Sequence, residues 1–182
     1  VHFDGAGGNV AAGKFNDGSK KNRRVLAGRL ADGMQRAWQE QKKFSISASD
    51  VGWSVRKVSL PLSDSLQEAE LAAKLQDDSQ SSKDRIRAAR DLVFVRRMKA
   101  GHRIPLSCLR LAEARVLHMP GELFVEYQLA AQQLRPKHFV AMAAYGDYGP
   151  GYIGTDIAYS QGGYETGRVS RVAPGVERVL ME

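Results

Sequence analysis

Hydrophobic positions along this chain alternate between a period of two and a period of three to four, and the changes of period mark out its elements. Leu26, Leu30, Met34 and Trp38 recur at intervals of four, flanked by Ala27, Ala31 and Ala37, which predicts an amphipathic helix over residues 23–42. The stripe reads as core. Ser19 or Asn22 suits the N-cap, and Gly28 and Gly33 lower the intrinsic helicity, so the helix should depend on packing. Residues 44–47 and 53–60 alternate with period two, as half-buried strands do, and Pro61 stops the second. Residues 63–78 are polar and rich in Glu, Gln, Ala and Leu, which predicts a surface helix capped by Asp64 or Ser65. After a break at residues 79–82, a basic helix follows from a Ser82 cap to Ala100, and Gly101 ends it. Its apolar stripe reads as Ile86, Ala89, Leu92 or Val93, and residues 95–98. Residues 104–111 and 114–119 then read as neighbouring strands joined at Ala112-Glu113.

Residues 113–165 organise the rest. An apolar run ending at His118-Met119 turns at Pro120-Gly121, and residues 122–134 carry helical periodicity closed by Arg135-Pro136. Leu123, Tyr127, Ala130 and Leu134 share one face of that segment. A second apolar run, residues 138–145, leads into the Gly-, Asp- and Tyr-rich passage 146–155. Two short apolar runs joined by a helix form a βαβ unit most naturally, with working groups on loops beyond the strands' carboxyl ends. Glu122 and Tyr152 both follow such an end, so the two side chains are expected to approach each other. The fold class is therefore α/β: a mixed sheet or sheets flanked by helices, containing a strand–Pro-Gly-Glu–helix–strand unit.

Composition narrows the picture. The 182 residues are 43% hydrophobic, enough for a real core in a single domain or segment. No apolar stretch approaches the roughly 20 residues that cross a bilayer, so no transmembrane segment is expected. One cysteine, Cys108, excludes an internal disulfide framework. The net charge of +7 is concentrated in residues 20–24 and 83–99. Asp84 and Asp91 interrupt the second group and no aromatic residue alternates with its arginines. It reads as a solvated helix face, and no nucleic-acid partner is expected. The chain begins at Val1 in an apolar run and stops within what reads as an amphipathic helix, as a segment of a longer polypeptide would.

Gly5, Gly7, Gly8 and Gly13 make an opening loop able to approach another group closely. A phosphate cradle would need a Gly-Lys-Ser/Thr ending that is absent, and a tight loop leaving a buried strand accounts better for these residues. Glu122 reads either as a carboxylate favoured by a helix amino terminus or as a metal ligand. Tyr152 reads either as a loop aromatic covering the core or as its companion.

Met119-Pro120-Gly121-Glu122, a helix, a strand, and then Tyr152-Ile153, Thr155, Tyr159, Tyr164-Glu165 and Pro174-Gly175 resemble the later half of the neutral (alkaline, non-lysosomal) ceramidase catalytic domain. The loop at residues 8–13 is similar to that family's Gly-Asp-Val-Ser-Pro-Asn loop. The resemblance implies a zinc-dependent hydrolase of the N-acyl amide of ceramide or a related lipid amide, in an extracytoplasmic or secreted setting. It implies Glu122 and Tyr152 as zinc ligands, Tyr152 as a catalytic residue, and Gly8, Asn9 and Tyr164 as substrate-binding residues. Zinc accepts carboxylate oxygen and polarises a carbonyl as a Lewis acid. Three departures stand out: the family serine falls on Ala11, its aspartate falls on Asn9, and its two zinc histidines have no counterpart. His2, His102, His118 and His138 lie outside the matching motifs, and His118 reads as a packed or tautomer-fixed strand histidine and not a ligand. The expected partner is thus the upstream part of the same polypeptide, which would supply those histidines. The segment alone is expected to hold zinc weakly or not at all and to be inactive, and the loss of the serine leaves a non-catalytic binding or assembly role as the alternative.

Overall fold

A computed structural model describes residues 3–11, 13, 16–146 and 149–182. The expectations for Val1, His2, Ala12, Lys14 and the Asp147-Tyr148 pair lie outside the described residues. Helix α1 (Lys20–Gln39) is capped by Ser19, whose hydroxyl accepts from the Asn22 N–H, one of the two caps expected. Strand β1 (Val51–Val58) follows, then α2 (Glu68–Gln76) and α3 (Ser82–Lys99). Strands β2 (Ile104–Leu111) and β3 (Ala114–Pro120) form the expected hairpin, with Ala112 at the turn taking a positive φ of 48°. Strand β4 (Glu122–Leu123), α4 (Val125–Leu134), β5 (Phe139–Gly146), β6 (Tyr152–Ile153), α5 (Asp156–Gln161) and α6 (Val176–Met181) complete the order.

The fold is α/β with a mixed sheet flanked by helices. Its four strands lie in the order β1-β2-β3-β5: the first three are antiparallel, and β5 joins β3 in parallel. Parallel pairing of β3 with β5 across α4 is the βαβ unit that the two apolar runs announced. A second, two-stranded sheet pairs β4 with β6 in parallel. The core lies between these sheets and the last helices, where Ile104, Leu123, Ile153, Val172 and Val176 are fully buried with Phe124, Tyr127 and Met142 around them. The Tyr127 hydroxyl is buried too, and donates to the Gly154 carbonyl at 2.9 Å. A smaller cluster joins α2 to α3 through Leu71, Ala88, Leu92 and Val95.

Several local expectations change. Helix α1 buries none of its residues: Leu30, Met34 and Trp38 are 64–73% exposed, because no described element covers their stripe. Residues 44–47 form no strand; with no described strand beside them, their alternation finds no ladder. The surface helix begins at Glu68, after Gln67 and not after Asp64 or Ser65, and Ser81, not Ser82, caps α3 by accepting from the Asp84 N–H. The buried face of α3 is Ala88, Asp91, Leu92, Phe94 and Val95, while Ile86 and Val93 are exposed. That face takes in Asp91 because Arg171 neutralises it there. Glu122 and Leu123 are not helical, since their backbone groups pair with the chain at residues 151–153. His118 is exposed on β3 and not packed.

Candidate functional site

The site is built where two glycine turns cross. Strand β3 ends at Pro120, and Gly121 takes φ 66° so that the chain reverses into β4. A Cβ at Gly121 would lie 2.6 Å from the Gly151 carbonyl oxygen and 2.8 Å from Pro150, so only glycine admits this approach. Gly151, at φ 76°, is equally constrained, because a Cβ there would run into the Val169 carbonyl. With both side chains absent, the Glu122 N–H reaches the Gly151 carbonyl at 2.9 Å, and the Phe124 N–H reaches that of Ile153 at 3.1 Å. These bonds set the register, and the register places Glu122 directly opposite Tyr152. The approach expected of these two residues is thus realised as a pair of facing strand positions.

The opening glycine loop lies against the same strand. The Gly8 N–H donates to the Leu123 carbonyl at 2.8 Å, and a Cβ on Gly8 would strike the Glu122 carbonyl. Asn9 acts as a remote cap for α4. Phe124, at the cap position, has no side-chain bond to offer, and Asn9 Oδ1 accepts from the Val125 N–H at 2.9 Å. The Asn9 amide nitrogen donates to the Glu126 carboxylate at 2.9 Å. Gly8 therefore touches the backbone beneath Glu122, and the hydrogen bonds of Asn9 go to α4. Ala11 is exposed and presents no hydroxyl.

Glu122 and Tyr152 open on a cleft of about 600 Å³ that Tyr164 also lines. The rings of Tyr152 and Tyr164 meet edge to face, with centroids 5.9 Å apart and planes at 73°. The Glu122 carboxylate, by hydrogen bonding first and by its charge as well, raises the pKa of the Tyr152 phenol, with partial desolvation adding to the effect. Desolvation, together with the charges of Glu122 and Asp4, raises that of Tyr145 nearby. Both tyrosines are therefore phenols at neutral pH, able to donate a proton to a hydrogen bond.

Carboxylate and tyrosyl oxygens are donor types that zinc accepts, but two of them do not make a zinc site. Among the described residues, no three His, Cys, Asp or Glu side chains gather closely enough to hold a metal ion. His138 is 3.4 Å from Glu113, and His118 lies with Trp53 and Val116 along another pocket. Glu122 and Tyr152 by themselves offer two oxygen donors.

The cleft is also basic. Lys83, Arg87 and Arg90 of α3 line it, together with Arg168 and Arg171 from the segment between α5 and α6. Residues 83, 87 and 90 follow an i, i+4, i+7 spacing, so the sequence did carry the signal that these cations share one helix face. Which way that face points is set by the Asp91–Arg171 ion pair at 2.6 Å, whose arginine also donates to the Gly149 carbonyl at 2.7 Å.

No protein-family model matches the chain, and no curated protein matches its sequence. Among solved structures it is similar to a ceramidase complexed with C2, at 20% identity and a TM-score of 0.38 over 43% of this chain and 13% of that one. The similarity to the neutral ceramidase from Pseudomonas aeruginosa extends over 91% of this chain at a TM-score of 0.55 and 15% identity. The chain spans about a third of that enzyme's length, 33% of which is covered. The resemblance carried by the Pro-Gly-Glu and Tyr-Ile motifs is thus met in three dimensions, and this chain has a ceramidase-like fold.

Proposed function

We propose that this chain is part of a zinc-dependent amidohydrolase that cleaves the N-acyl amide of ceramide or a related lipid amide. The observation that carries this reading is the facing pair Glu122–Tyr152 on adjacent parallel strands, open to a cleft and framed by turns that only glycine permits. In the complete protein these two residues would hold the metal, with the remaining ligands supplied by sequence outside this chain. Zinc, when bound, would supply Lewis-acid polarisation of the amide carbonyl. Without metal, the Tyr152 hydroxyl keeps its proton and shares it with the Glu122 carboxylate, so the two side chains are held together at the cleft. Tyr164, stacked edge to face on Tyr152, limits where that ring can go. Gly8 supports the Glu122 strand from behind its backbone, while Asn9 fixes the start of α4.

A second reading rests on Ala11, which stands where the resemblance places the family's serine. It holds that the protein keeps the fold for ligand binding or assembly without turnover. Assay of the complete polypeptide on short- and long-chain ceramides, with and without chelator, separates the two. Chelator-sensitive hydrolysis that is lost in Glu122→Gln is the expected result, and no hydrolysis of any lipid amide would leave the binding role. The 182-residue chain alone, dialysed against micromolar zinc, is expected to take up less than a stoichiometric amount. Stoichiometric uptake would show that its own residues complete the metal site.

A further inference from the structure

The cleft at Glu122 and Tyr152 is strongly cationic in a way that a neutral amide substrate does not require. Five basic side chains, Lys83, Arg87, Arg90, Arg168 and Arg171, line it against two carboxylates, Asp91 and Glu122. Asp91 is taken up by Arg171, which leaves Glu122 facing four cations.

The other charges on α3 show that this is not merely a solvated basic helix. Arg85 pairs with Asp78, and Arg96 and Lys99 both pair with Glu68, each at 3.0 Å. Lys83, Arg87 and Arg90 have no ion pair among the described residues, and all three line the cleft. Arg168 reaches the same space from a different segment and is likewise without an acidic partner among the described residues. The mostly buried Asp91–Arg171 pair ties the two segments together, so the relative position of the cations is fixed by the fold. Like charges gathered without counterions repel one another, and that cost is relieved by an anion placed among them. Guanidinium groups suit an oxyanion in particular, because their planar donor array matches carboxylate or phosphate oxygens. Ile86, Val169 and the two tyrosine rings supply apolar surface in the same cleft.

We infer that the ligand of this cleft is an acyl amide carrying an oxyanion. Its carboxylate or phosphate is held by Arg87, Arg90, Arg168 and Lys83, and its amide lies at Glu122–Tyr152. This deepens the amidohydrolase reading and rests on it for the amide, while the anion preference stands on the cleft alone.

Calorimetric titration of the 182-residue chain at low salt tests the assignment with three probes: hexanoylglycine, neutral hexanoylethanolamine and inorganic phosphate. Hexanoylglycine is expected to bind at least about tenfold more tightly than hexanoylethanolamine, a difference that shrinks as salt shortens the Debye length to about 8 Å. The Arg87→Gln, Arg168→Gln double variant should abolish the difference, and Tyr152→Phe should preserve it. Both arginines are exposed, so a circular dichroism melt of the double variant should match the parent. Equal affinities in the parent, or a preference that survives the double variant, would overturn the anion site. Phosphate binding as tightly as hexanoylglycine would overturn the acyl-amide assignment by showing that the acyl part contributes nothing. If the complete polypeptide hydrolyses no amide while hexanoylglycine is still preferred, the hydrolase reading fails and the ligand class stands.

Discussion

Helix α1 runs for 20 residues with an apolar stripe at Leu26, Leu30, Met34 and Trp38 and buries none of them. Helix α3 runs for 18 residues, carries seven Lys or Arg side chains, and buries five residues including an aspartate. Judged by pattern, the first helix belongs in a core and the second on a surface. The difference lies in what stands opposite each. Leu71 of α2 packs against Ala88, Leu92 and Val95, with Leu62, Leu66 and Leu75 beside them, and Arg171 meets Asp91. No described element stands opposite the α1 stripe. An apolar stripe records which face gains from leaving water, and burial follows only where another surface is present to receive it.

Substitutions in the two helices should therefore have unequal effects. The largest is expected from Asp91→Ala, which strands the mostly buried Arg171 charge and should cost about 3–5 kcal/mol in urea unfolding. Arg85→Ala, which breaks the exposed pair with Asp78 on the same helix, should cost less than about 1 kcal/mol. Equal effects would mean that the Asp91–Arg171 pair does not tie α3 to the site. Next comes Leu92→Ala, with an expected loss of about 3 kcal/mol from a 4% exposed position. Leu30→Ala in α1 should stay within about 0.5 kcal/mol, and a larger loss would reveal that its stripe is covered in solution. The smallest effect on global unfolding is expected from Gly28→Ala, which acts within α1 alone. Nothing beyond the helix's own adjacent backbone lies within 4 Å of the new Cβ, so α1 should gain about 1 kcal/mol of helix propensity. Far-UV circular dichroism should then show more helix with an unchanged urea midpoint, and a raised midpoint would couple α1 to the core.

The site divides along similar lines. The Pro120-Gly121-Glu122 turn and the Gly149-Pro150-Gly151-Tyr152 loop were readable as turns because glycine and proline restrict the backbone locally. Their position after strand ends already implies that Glu122 and Tyr152 lie near each other. The cationic lining was half legible: the spacing of Lys83, Arg87 and Arg90 was present, but the bond between Asp91 and Arg171, 80 residues apart in sequence, was not. The role of Asn9 as a cap for α4, from 116 residues away, had no local signal either.

Hydrophobic period, turn residues and helix stops are properties of neighbouring residues, so the sequence alone was enough to establish the β3–α4–β5 unit, the hairpin at Ala112 and the end of α3 at Gly101. What covers a face, and which charges meet across it, depends on contacts between distant segments that local pattern does not encode. Tertiary structure therefore decided that no described element covers α1, that Glu122 pairs as a strand and does not begin a helix, and that three arginines and a lysine around it have no acidic partner among the described residues. The physical reason is the same in each case: burial and ion pairing are free energies of two surfaces, and the sequence displays only one of them at a time.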